Sequence, residues 1–268
     1  MNMFQYLRPA SVQDAAQMIR EQPEARFLAG GMSLLSAMKL RLAAPSHLVD
    51  LAAIDGLSGI AVVQDELVIG AMARHADVAR SAQVRQLIPA LAHLAGGIGD
   101  RQVRNRGTIG GSVANADPAA CYPAAVLGLD ATVVTSKRRI AADDFFGGLF
   151  ETALEPGELI TEVRFPIPKA AAYVKFPQPA SRFALVGVMA VIDRKGEPRV
   201  AVTGARASVY RVSEFEAVLR NGLSSPAVLA IRLPEDDMNN DLHADAGYRA
   251  HLVSVIAARA IDGLNLLA

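Results

Sequence analysis

The sequence predicts an α+β protein built from three successive regions, and three observations carry that expectation. Phe27 to Ala29 is apolar and runs directly into the Gly30–Gly31 pair and then into a helical pattern, the signature of a strand, a tight turn and a helix. Residues 60–71 and 131–141 each hold two short apolar runs around a polar turn, as β-hairpins do. Beyond Pro166 and Pro168, three strand-like runs give way to helical periodicity.

Taken in order, Ser11 with Asp14 three positions later reads as a capping box, and Val12, Ala15, Ala16 and Ile19 follow at helical spacing until Pro23 stops the helix. Ser33 is expected to cap the helix that puts Leu34, Leu35, Met38 and Leu42 on one face. Pro45 ends it, and His47 to Leu51 returns as a strand. Ile60–Val63 and Leu67–Ala71 flank a Gln-Asp-Glu turn. Helices are expected over residues 77–81 and 86–95, the second broken by Gly96, Gly97 and Gly99. A small-residue helix follows Asp117–Pro118 to about Leu127, then a hairpin over 131–141 and a strand over 159–165. The proline pair at 166 and 168, with a small-residue joint at 170–172, marks the best boundary. Strands are predicted over 173–176, 183–193 and 199–207, then a helix capped by Ser213, an acidic loop over 234–241 and a final helix over 245–262.

Composition narrows the function. Acidic and basic residues number 27 each, which argues against a nucleic-acid binder, since that class carries a basic excess or stripe. No apolar run reaches the ~18 residues of a membrane span, and the first residues lack the basic and apolar blocks of a signal peptide, so a cytoplasmic location is expected. Cys121 is the single cysteine, which rules out an internal disulfide and a cysteine-ligated cluster within this chain. The five histidines are scattered, with no pair at metal-site spacing, and read as surface or satisfied side chains.

The chemistry is carried by two glycine pairs, in FLAGGMSLL (residues 27–35) and in RNRGTIGGSVANADP (residues 104–118). A glycine pair lets the backbone come close to a ligand, and a helix starting just after it offers free N–H groups to an anion such as phosphate. Neither stretch fits the P-loop or the GxGxxG fingerprint, and Gly97-x-Gly99 follows a helix, the wrong context for the latter. From the residues alone the expectation is an extended ligand with phosphate groups that needs both turns.

The ordered combination FLAGGMSLLSAMKLRLAAPSHLVDL, IGDRQVRNRGTIGGSVANADPAA, ELITEVRFPIP and YVKFPQPASRFALVGVMAVI resembles the FAD-binding subunit of the molybdenum hydroxylases, over nearly the whole chain. The resemblance implies an N-terminal FAD-binding domain of the vanillyl-alcohol-oxidase (PCMH) type over residues 1–167, in subdomains of about 1–55 and 56–167, and a C-terminal domain over 168–268 with a three-stranded antiparallel sheet and helices. It implies FAD as the cofactor. Leu28, Ala29, Gly30, Gly31, Met32, Ser33 and Leu34 match the family's first FAD loop, and Thr108, Ile109, Gly110, Gly111 and Ser112 the second. Ile98 and Ile160 match apolar cofactor contacts, Lys175 a basic residue near the flavin, and Asp117 a common Asp-Pro element that also reads as a helix-start acid.

Two positions depart from the pattern. Cys121 stands where the family often has an acid that can accept a hydrogen bond from the cofactor, and it reads here as a small buried residue. Met32 replaces a frequent glutamine or histidine. Lys39 and Arg41 read as a solvated face, while Arg101, Arg104 and Arg106 are open between steering an anionic acceptor and docking a partner.

The resemblance further implies an electron-transfer role. A molybdenum-cofactor large subunit and an iron–sulfur small subunit with 2Fe-2S clusters are the expected partners, in a dimer of heterotrimers, with FAD passing electrons to an acceptor such as NAD or a quinone. No catalytic side chain and no metal ligand is expected in this chain. A free-standing FAD-dependent oxidoreductase and a non-enzymatic nucleotide-binding module are the alternatives.

Overall fold

The computed structural model describes residues 1–265. The chain opens with β1 (Gln5–Leu7), α1 (Val12–Glu21), β2 (Arg26–Leu28), α2 (Leu34–Lys39) and β3 (His47–Asp50). The three strands form a parallel sheet in the order β1-β3-β2. Ser11 caps α1 by accepting the Asp14 N–H at 3.0 Å, as its position predicts. Ala15 and Ala16 of α1 pack with Ala25, Val49 and Ile54 beneath the sheet. Ser33 does not cap α2: its backbone is already helical at φ −87° and ψ −53°, so its side chain accepts nothing from that turn.

The middle of the chain runs β4 (Ile60–Val63), β5 (Glu66–Gly70), α3 (His75–Arg80), α4 (Ala82–Leu87), α5 (Pro89–Gly96), α6 (Arg101–Arg106), α7 (Ile109–Asn115) and α8 (Tyr122–Gly128). It continues through β6 (Thr132–Thr135), β7 (Arg139–Ala141), β8 (Phe146–Gly148), β9 (Glu151–Thr152) and β10 (Ile160–Pro166). Strands β4, β5, β10, β6 and β7 make a five-stranded antiparallel sheet, with β10 at its centre. The single helix expected over 86–95 is two, because Pro89 interrupts the ladder and starts α5 instead. Helix α6 and the β8–β9 pair stand where the sequence pattern indicates no element. The largest core joins the sheet to α3, α5, α7 and α8 through fully buried Leu67, Ile69, Leu91, Leu94, Tyr122, Val163 and Phe165. Each such side chain contributes about 1.5–3 kcal/mol relative to exposure.

The remainder is β11 (Ala170–Pro177), β12 (Ala184–Ile192), β13 (Pro198–Thr203), β14 (Tyr210–Arg211), α9 (Ser213–Leu219), α10 (Ser225–Leu229) and α11 (Ala246–Asn265). The sheet is antiparallel in chain order and has four strands, not three, since the two-residue β14 pairs with β13. The small residues Ala170–Ala172 are the start of β11, paired with Ala190–Ile192, and not a joint. Ser213 is the first helical residue of α9, after Val212 at the cap position. Helix α11 covers β11 and β12 and buries Val253, Ile256, Ala257 and Ala260 against Val186, Val188 and Val202.

This last sheet fixes part of the preceding region. Thr203 Oγ1 donates to the carbonyls of Pro118 (2.6 Å) and Ala120 (2.8 Å), Gly204 N–H to Pro118, and Ala184 N–H to Ala119. Residues 118–121 are thereby held against the β12–β13 end. No helix among the described residues is long and apolar enough to cross a membrane.

Candidate functional site

Both glycine turns open on one cleft of about 530 Å³, within the ~300–1,000 Å³ range of cofactor pockets. Ala29 to Leu34 line one side, Thr108 and Gly110 to Ser112 the other, and Asp117, Ala120 and Cys121 continue the wall. Ile98 and Ile160 line it further along, and Ser181, Arg182 and Phe183 border it from the turn between β11 and β12.

The turns meet backbone to backbone. A Cβ on Gly30 would overlap the Arg106 carbonyl and lie 2.7 Å from the Gly107 Cα, so only glycine permits this approach. In the first turn, among the described residues, the N–H groups of Gly30, Gly31, Met32 and Ser33 have no acceptor in the protein. Four successive unused donors beside the start of α2 form an anion-binding concavity.

The second turn is built differently. Gly110 and Gly111 lie in the first turn of α7, not at a strand end, and Thr108 caps that helix by accepting the Gly111 N–H at 3.2 Å. The Ile109 and Gly110 N–H groups donate to the carbonyls of Ala73 (3.0 Å) and Ala71 (2.8 Å), and the Ser112 N–H to that of Thr108 (3.1 Å). These donors are occupied within the fold, and this side presents to the cleft the Thr108 and Ser112 side chains and the Gly111 surface. Gly110 is demanded by packing, since a Cβ there would come within 2.5 Å of the Ala71 Cβ.

Three expected contact residues stand off the cleft. Leu28 packs with Met38 and Leu48, and Ile109 is fully buried in the main core. Lys175 sits behind the wall, its ammonium donating to the carbonyls of Gly97 (2.8 Å) and Arg182 (2.7 Å) and lying 3.5 Å from Cys121 Sγ. Cys121 is buried at the end of the 118–121 segment, where its thiol is a weak acceptor for that ammonium. Met32 lines the cleft with its side chain partly exposed, so it offers an apolar surface. Lys39 and Arg41 are exposed and do not reach the cleft. Arg101 and Arg106 are exposed on α6, whereas Arg104 is committed to the carbonyls of Ile98 (2.8 Å) and Gly99 (2.7 Å).

Electrostatics separate the remaining polar groups. Burial raises the Asp117 carboxyl above its ordinary range, against the opposing hydrogen bond from the Ala119 N–H at 2.9 Å. Glu158 also borders the cleft but is engaged by Thr135 (2.6 Å), Arg138 (3.1 Å) and the Glu155 N–H (2.9 Å). His75 departs from the reading of the histidines as surface or satisfied side chains. It is 5 % exposed, lines the cleft under Gly107 and stacks at a tilt on Tyr122, 5.3 Å between centroids. Burial, and then the Arg104 guanidinium, lower its pKa to about 4, so the imidazole is neutral. Its Nδ1 has no partner among the described residues. Only the HADV pattern at the start of α3, apolar at the flanking Ala76 and Val78, hints at burial in sequence. Phe183, 47 % exposed at the cleft border, was equally unmarked.

An anion-binding turn at one end and an apolar wall further along suit a cofactor that carries phosphates and a flat apolar ring, and FAD fits that donor set. A family model described as the FAD binding domain in molybdopterin dehydrogenase matches residues 2–168. The nicotine 6-hydroxylase medium subunit of Paenarthrobacter nicotinovorans is 35 % identical, with 96 % of each chain covered. The carbon monoxide dehydrogenase medium chain of Hydrogenophaga pseudoflava is 34 % identical, covering 97 % of this chain and 96 % of its own. Among solved structures, reconstituted CO dehydrogenase from Oligotropha carboxidovorans superposes with a TM-score of 0.93 at 33 % identity and 99 % coverage of both chains. Quinoline 2-oxidoreductase from Pseudomonas putida 86 gives a TM-score of 0.89 at 29 % identity, covering 98 % of this chain and 97 % of the other. The mixed α/β fold, the donor-lined cleft and these matches agree: the chain is an FAD-binding oxidoreductase component and belongs to the FAD binding domain family of the molybdopterin dehydrogenases.

Proposed function

We propose that this chain is the electron-transfer flavin subunit of a multi-subunit molybdenum hydroxylase. The observation that carries the reading is the row of unused N–H donors at Gly30 to Ser33 facing Thr108 and Ser112 across one cleft. Relatives named as medium chains and medium subunits match over nearly the full length, which supports a place in a larger complex. The partners are then a molybdenum-cofactor large subunit and an iron–sulfur small subunit, as a dimer of heterotrimers in the cytoplasm, and the terminal acceptor is NAD or a quinone.

Within this reading, the first turn holds the pyrophosphate through its amides, and the Thr108 and Ser112 hydroxyls close on it from the other side. Ile98 and Ile160 exclude water beside the ring, with Phe183 at the border. When bound, FAD supplies two-electron storage that can be filled one electron at a time. The protein's part is to orient and shield it, which needs no side-chain acid or base. Residues 1–167 form the vanillyl-alcohol-oxidase-type FAD-binding part in two subdomains, with a C-terminal domain from residue 168, whose last three residues lie outside those described.

Two measurements test the proposal. The purified chain, reconstituted with FAD, is expected to retain a flavin spectrum through gel filtration and to release it on acid precipitation. Co-expression with the flanking genes is expected to give a complex that holds molybdenum and iron. Failure to bind FAD rejects the cofactor assignment, and substrate turnover by the isolated chain rejects the subunit assignment.

A further inference from the structure

The stretch Gly96-Gly97-Ile98-Gly99, which in sequence is only the break after α5, is held through its carbonyls by three cations. Lys175 Nζ donates to the Gly97 carbonyl at 2.8 Å, Arg104 Nη1 to those of Ile98 (2.8 Å) and Gly99 (2.7 Å), and Arg182 Nη1 reaches the Gly99 carbonyl at 3.4 Å. The cations come from β11, from α6 and from the turn between β11 and β12. Three consecutive carbonyls are thus turned toward positive charge.

That arrangement fixes the opposite side of the turn. In a trans peptide the C=O and N–H point in opposite directions, and no peptide bond among the described residues is cis. With the Ile98 carbonyl directed at Arg104, the Gly99 N–H points the other way. Ile98 and Gly99 both line the cleft, and among the described residues the Gly99 N–H has no acceptor. The donor is therefore unused, borders the cofactor site, and is polarised by the Arg104 cation on the far side of its peptide.

We propose that Arg104 and Lys175 are positioning residues that lock the Gly97–Gly99 turn so that the Gly99 N–H is presented to bound FAD, a third backbone contact separate from the two glycine pairs. The inference rests on the FAD assignment above. A donor backed by positive charge interacts more strongly as the cofactor becomes electron-rich, so the clamp favours the reduced form and raises the midpoint potential.

The experiment compares full-length wild type with Arg104→Met, Arg104→Lys, Lys175→Met and, as a control, Arg101→Met on the exposed face of the same helix. Three quantities are read: the FAD dissociation constant, the visible spectrum of flavin at saturation, and its midpoint potential by dye-equilibrated reduction. Arg104→Met is expected to weaken FAD by about tenfold, to shift the flavin spectrum and to lower the potential. Lys175→Met is expected to do the same to a smaller extent, Arg104→Lys to recover part of the loss, and Arg101→Met to match wild type. The proposal is overturned if both Met variants show wild-type affinity, spectrum and potential. It is also overturned if they only reduce the fraction of chain that binds and leave the bound flavin unaltered, the outcome of a purely structural role. Should Arg104→Met fail to fold, Lys175→Met decides on the same criteria. Wild type that binds no FAD would reject the cofactor assignment and this inference together, whereas unaltered variants of an FAD-binding wild type reject this inference alone.

Discussion

The two glycine turns look alike in sequence and do opposite jobs with their backbone. Among the described residues Gly30 to Ser33 leave their amides free, while Ile109 to Ser112 donate theirs to Ala73, Ala71 and Thr108. Glycine is needed in each case because another part of the protein is close: Gly107 beside Gly30, and Ala71 beside Gly110. The difference shows that a glycine pair reports a close approach without saying what approaches. In the proposed reading one turn provides the donors for an anion, and the other provides a rigid surface, with hydroxyl groups, against which those donors are set.

The largest expected effect concerns the second turn and its buried support. His75 has a folded pKa of about 4 against an ordinary value near 6.5, so the unfolded chain binds a proton that the fold refuses between those values. The stabilisation is fully present above pH 6.5, is lost progressively as pH falls toward 4, and levels off below. The loss is on the order of 3 kcal/mol. Denaturant unfolding of FAD-free wild type and His75→Gln at pH 7 and pH 4.5 checks it, because only wild type should show this component. Equal pH dependence in the two proteins would remove His75 as the cause.

The next effect belongs to the first turn. Ser33→Asp sets a carboxylate among the free amides, where it competes with and repels the pyrophosphate, and FAD affinity should fall by about 100-fold with little change in the melting of the FAD-free protein. Unchanged affinity would break the assignment of these donors to the phosphate. The smallest effect tests the packing role of the second turn. Gly110→Ala drives a Cβ to within 2.5 Å of Ala71, and overpacking of this kind costs about 2 kcal/mol. The FAD-free protein should melt earlier, in contrast to Ser33→Asp. Normal stability combined with lost FAD binding would mean that Gly110 faces the ligand after all.

Local patterns reported much of this fold. Ser11 capping α1, the paired apolar runs of residues 60–71 and the strand entering Gly30 are set by near neighbours, and each is found where the pattern puts it. Helix α6 was hidden because RQVRNR has no apolar stripe; it is held by the Asp100 cap and the reach of Arg104 to the preceding turn. The β8–β9 pair and β14 are too short to show a period. At the site, the motifs identified which stretches converge on the cleft but not how their polar groups are used. The partners of the Ile109 and Gly110 amides lie more than thirty residues upstream, and Lys175 meets Gly97 seventy-eight residues away. Such pairings are products of tertiary structure, and no window of sequence contains both members.

The grip of Thr203 and Gly204 on Pro118 and Ala120 has a consequence for the order of synthesis. The first glycine turn leaves the ribosome some 170 residues before the strand that secures the wall opposite it. A nascent chain released as far as β10 can pair its five-stranded sheet, yet its cofactor cleft still lacks a fixed side. Cofactor loading is therefore expected to be a late event, and a translation-arrested chain ending after β10 is expected to retain no FAD.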